Sequence, residues 1–86
     1  MVLLTKDNLT AQNIAESMFG KDVTVDDRRS VAQKLIDLTG PDKGRIIASV
    51  AFDVANDTPK AVSPDGDQQF AIEPVARALQ EAKLLP

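Results

Sequence analysis

The chain has 86 residues, of which 43% are hydrophobic and 27% charged, and thirteen Asp and Glu against ten Lys and Arg give a net charge of −3. This is the balance of one small acidic globular domain rather than of a disordered segment. With no Cys, His or Tyr, disulfides, thiolate or imidazole catalysis, the usual zinc cages and phenolic acid–base chemistry are excluded.

Three Phe are the only aromatic residues, so small aliphatic side chains must fill the core. A domain of this size buries roughly 60–65% of its unfolded surface, which leaves a thin stability margin. Self-association would enlarge the shared core. The opening Met1-Val2-Leu3-Leu4 is too short for a signal segment, and no apolar run approaches the ~20 residues of a membrane span. The expected setting is cytoplasmic, with no membrane contact.

The first predicted helix ends at Phe19-Gly20, with Ala11, Ile14, Ala15 and Met18 on one apolar face. Thr5 and Thr10 are both suitable N-caps, so its start is left open between them. Gly20 is suited to a left-handed helix end. The second helix starts at Thr24-Val25-Asp26-Asp27, a capping pattern with two acids in the first turn. Val31, Leu35 and Leu38, with Ala32 beside them, form its buried stripe, and Gly40-Pro41 ends it.

Residues 45–55 form the most apolar segment and fit two periods. As a strand, Ile46, Ala48, Val50, Phe52 and Val54 share one side. As a helix, Arg45, Ser49, Asp53 and Asn56 align on one narrow polar stripe and the remainder is apolar. The helical reading accounts for every polar residue and is preferred. It implies a central helix buried on most of its circumference.

Residues 56–68 read as a long loop, with two prolines, a glycine and several side-chain cappers. Residues 69–73 read as weakly extended. A last helix starts near Pro74 and buries Val75, Ala78, Leu79 and Ala82. The expectation is a mainly α, four-helix, single domain over 1–86. The alternative is an α+β domain with residues 45–54 as a strand.

Motifs that carry chemistry are scarce. Gly40 to Arg45 lacks the Lys-Ser/Thr ending of a phosphate loop and reads as an inter-helix turn. Asp65-Gly66-Asp67 lacks the ligand spacing of a calcium loop and reads as a turn. Asp26 and Asp27 diverge by about 100° on a helix and serve its dipole rather than a substrate. Neither an enzyme, a cofactor, a metal nor a small-molecule substrate is therefore expected.

The composition points to a small helical protein–protein interaction module, such as an adaptor, assembly factor or inhibitor, that self-associates into a homo-oligomer. Arg28, Arg29, Arg45 and Asp53 are its candidate contact residues, with Asp53 paired or setting register. The alternative is a nucleic-acid-binding regulator that presents Arg28, Arg29 and Lys34 from the second helix. The acidic charge and the two carboxylates at that helix start disfavour nucleic acid as a partner.

Overall fold

The computed structural model describes residues 4–20, 23–57 and 71–85. They form four helices: α1 (Ala11–Phe19), α2 (Val25–Thr39), α3 (Pro41–Asp57) and α4 (Ile72–Glu81). There is no strand among the described residues, and the alternative strand over 45–54 lies inside α3. Each helix packs on its neighbours in the chain, and α4 closes the ring against α1. The architecture is a mainly α, small four-helix domain. Among the described residues no helix is long and apolar enough to cross a membrane.

Local chemistry sets the helix starts. Between the two caps left open for α1, the structure selects Thr10, whose Oγ1 accepts from the Asn13 amide at 3.1 Å. Thr5 belongs to a separate turn, where its amide donates to Asn8 Oδ1 at 2.7 Å. At α2 the capping box is complete: Asp27 N donates to Thr24 Oγ1 at 3.1 Å, and Thr24 N donates to Asp27 Oδ2 at 3.0 Å. Two amides that a helix start leaves orphaned are thereby satisfied.

Four boundaries differ from the sequence reading. Gly20 ends α1 in extended backbone (φ −67°) rather than the left-handed region. The stretch from Gly40 to Arg45 is not an inter-helix turn, because α3 begins at Pro41 and Gly40 alone joins it to α2. Proline suits a first helical position, where its missing amide proton has no partner to lose. Residues 71–73 are not extended: Ala71 leads directly into α4, and Pro74 sits inside the first turn. Asn56 and Asp57 belong to the end of α3, while the remainder of the loop expected at 56–68, with Asp65-Gly66-Asp67, lies outside the described residues.

The core is built from Leu4, Ile14, Met18, Phe19, Val31, Leu35, Ile47, Val75 and Leu79, with seven buried alanines between them. Ala71 and Ala76 join Val75 and Leu79 on the buried side of α4, whereas the expected Ala78 is only partly buried and Ala82 is exposed. Small side chains let helices approach closely but bury little area each, so the hydrophobic stabilisation per residue is modest. No buried side-chain nitrogen or oxygen among the described residues lacks a hydrogen-bond partner.

The α2–α3 corner brings two helix backbones into close contact. Gly40 has φ +98° and ψ 158°, a conformation essentially confined to glycine. One turn later, Gly44 is buried directly against the backbone of Ile36. From there α3 buries Gly44, Ile47, Ala48, Ala51 and Ala55 along one face. The helix is therefore not buried on most of its circumference. It packs on α2 and α4 and leaves a broad face outward.

Candidate interaction surface

The four residues singled out by sequence fall into two settings. Arg28 is held inside the molecule's own helix junction. Its Nε donates to the carbonyl of Met18 at 2.9 Å, and its guanidinium lies 5.4 Å from the centroid of the Phe19 ring. Phe19 in turn meets Phe52 edge to face, with centroids 6.1 Å apart and planes at 84°. Arg28 thus ties the end of α1 to α2, while the aromatic pair adds α3. Burial pulls the guanidinium below its ordinary pKa, but an arginine remains charged there. The satisfied Met18 carbonyl is one that the end of α1 leaves without an intrahelical partner.

Arg29, Arg45 and Asp53 are exposed. Arg29 stands on α2 beside the exposed Ser30. Arg45 and Asp53 lie on the outer face of α3 with Ser49 and Asn56, all exposed, so the polar stripe is present as expected. The two charged residues do not pair with each other. Eight residues of helix separate them by about 12 Å along the axis. Among the described residues the ion pair is Arg77–Glu73 at 2.7 Å, an exposed i,i+4 contact on α4. Such exposed pairs add little stability.

Beside the polar stripe the structure places a feature that the sequence reading missed. Ile46, on the outer side of α3, is 50% exposed. Val50 and Val54 follow at one-turn intervals, partly buried and packed on one side against the core. Together they make an apolar ridge along α3, with Lys43 at one end and Asp53 and Asp57 at the other. A signal for the ridge exists in the sequence. Gly44, Ala48, Ala51 and Ala55 recur at helical spacing, and small residues mark the side on which a helix approaches its neighbours. Ile46 lies on the opposite side.

Val25, 59% exposed at the first position of α2, is the other large exposed apolar residue among those described. It stands alone, and isolated surface apolar residues are ordinary. No group of three or more acidic residues among the described residues is arranged to hold a metal. Comparison with protein-family models, with curated proteins and with solved structures finds no match to this chain.

Proposed function

We propose that the domain is a small helical protein–protein interaction module, cytoplasmic and self-associating, whose contact surface is the outer face of α3. The observation that carries this reading is Ile46, half-exposed at the start of an apolar ridge bordered by Arg45, Ser49 and Asp53. Apolar anchors ringed by polar residues are the usual make-up of an interface core and its rim. The alanine-rich core adds a reason for association, since burying the ridge supplies apolar contact that the monomer lacks. Nucleic-acid contact through α2 has less support: Arg28 is committed to Met18 and Phe19, which leaves Arg29 and Lys34 on a helix that also carries Asp26 and Asp27.

The test is Ile46→Glu, a change at an exposed position that leaves the buried face of α3 intact. Sedimentation velocity and pulldown with the wild-type chain should show a complex, with itself or with a protein partner, that the variant loses while its circular dichroism is unchanged. A wild-type chain that associates with nothing, or a variant that associates as the wild type does, would refute the reading.

A further inference from the structure

We infer that the occupant of the α3 face is a second copy of this chain, laid antiparallel on the first about a two-fold axis at Val50. The inference rests on the reading of α3 as a contact surface and adds the partner and its geometry. The argument begins with positions. At 100° per residue, Ile46 and Val54 stand four residues either side of Val50 and about 40° to either side of it around the helix. Lys43 and Asp57 stand seven residues either side, about 20° off and about 10 Å away along the axis. Lys43 and Asp57 are exposed, and neither makes an ion pair among the described residues.

The charge pattern is therefore self-complementary in one orientation only. Antiparallel copies bring Lys43 of each to Asp57 of the other, with Ile46 of each over Val54 of the other and the two Val50 side chains meeting on the axis. Asp53, one turn before Asp57, strengthens the same acidic end. Parallel copies would set lysine against lysine and aspartate against aspartate, which is repulsive. The same residue on both chains meeting its counterpart across the axis is the mark of an isologous interface.

The helix itself gives a second argument. A helix favours acids at its start and bases at its end. In α3 the first turn holds Asp42, which suits the dipole, beside Lys43, which opposes it, and Asp57 opposes it at the far end. The placement of Lys43 and Asp57 does not serve α3 in isolation, and it does serve a partner running the other way. One helix pair is smaller than the ~800 Å² per partner of a standard interface, so the dimer is reversible and concentration-dependent.

The experiment is charge exchange read by sedimentation equilibrium on the full chain, with circular dichroism melts of each variant. Lys43→Glu and Asp57→Lys should each weaken the dimer by roughly tenfold or more, since each turns two attractions into two repulsions. Both changes favour the helix dipole, so neither should lower the melting temperature at a dilution where all chains are monomeric. The double variant should restore the wild-type dimer, and an equimolar mixture of the two single variants should form a heterodimer. Because the chain has no Cys, orientation is read cleanly from engineered thiols. Lys43→Cys mixed with Asp57→Cys should crosslink faster than either variant with itself. A wild-type chain that stays monomeric at millimolar concentration overturns the inference while leaving a different protein partner open to the Ile46→Glu pulldown. A dimer indifferent to the exchanges, or thiols that crosslink equally well within each variant, also overturns it and moves self-association to another face.

Discussion

Replacing Gly44 by alanine probes the α2–α3 corner, which decides how α3 is turned and therefore which of its residues face outward. A Cβ at this position would stand 2.5 Å from Ile36 Cα, 2.6 Å from Ile36 N and 2.9 Å from Ile36 Cγ1. The first two are backbone atoms, so no side-chain rotation relieves the overlap. α3 would have to withdraw from α2 by close to an ångström, loosening the packing of Ile47, Ala48 and Ala51 behind it. Overpacking of this kind costs about 3 kcal/mol at the upper end of its usual range. Alanine's better helix propensity offsets about 1 kcal/mol of that. The expected net loss is about 2 kcal/mol, a fall in melting temperature of roughly 8–16 °C for a domain of this size. Thermal and urea melts followed by circular dichroism measure it, with Ser49→Ala as an exposed control on the same helix that should change stability by less than about 0.5 kcal/mol. A Gly44→Ala chain as stable as the wild type, or more so, would refute the corner and with it the outward facing of Ile46.

Three further outcomes follow from the same geometry. Gly40→Ala should destabilise the domain by about 1–3 kcal/mol, because its φ of +98° with ψ 158° is strained for any residue with a Cβ; urea denaturation reads this directly. Arg28→Ala should lose about 2 kcal/mol, from the hydrogen bond to Met18 and the stacking on Phe19. Arg28→Lys should recover only part of that in thermal melts, since an ammonium lacks the Nε donor and the planar face. Thr24→Ala should remove the bond that Thr24 Oγ1 accepts from Asp27 N and lower stability by about 1 kcal/mol in denaturant titration, with hydrogen exchange at Asp27 N rising first.

How much of this was legible in the sequence follows from how local each determinant is. The bounds of α2 were legible, because its cap and its Gly40 end are set within the segment; of the expected stripe Val31 and Leu35 are buried, whereas Ala32 and Leu38 are only partly so. The start of α1 was not legible, since Thr5 and Thr10 are equally good caps alone. What separates them is that Asn8 engages the Thr5 amide and, through its carbonyl, the Asn13 side chain at 2.7 Å. The start of α3 was misread because proline and two glycines within five residues resemble a turn by local propensity. In the folded chain Pro41 opens a helix, Gly40 supplies the corner and Gly44 supplies the close approach to Ile36. Each of those roles depends on a second helix that local rules do not see.

The candidate surface divides in the same way. The polar stripe of Arg45, Ser49, Asp53 and Asn56 was readable from period alone. The exposure of Ile46 was not, because either reading of the segment counted it as buried. Which arc of a helix is covered depends on how many neighbours it has, and α3 is packed chiefly by two. Arg28 shows the converse. By sequence it is an exposed base next to Arg29, and only the fold brings Met18 O and the Phe19 ring within its reach.

Self-association through the outward face of α3 is most directly tested by a dilution series of amide NMR spectra on the wild-type chain. Resonances of Lys43, Ile46, Val50, Val54 and Asp57 should move together as concentration rises, while those of Ala11 and Ala15 on α1 stay fixed. Spectra unchanged across the series, or shifts centred on α1 or α2 instead, would contradict the account.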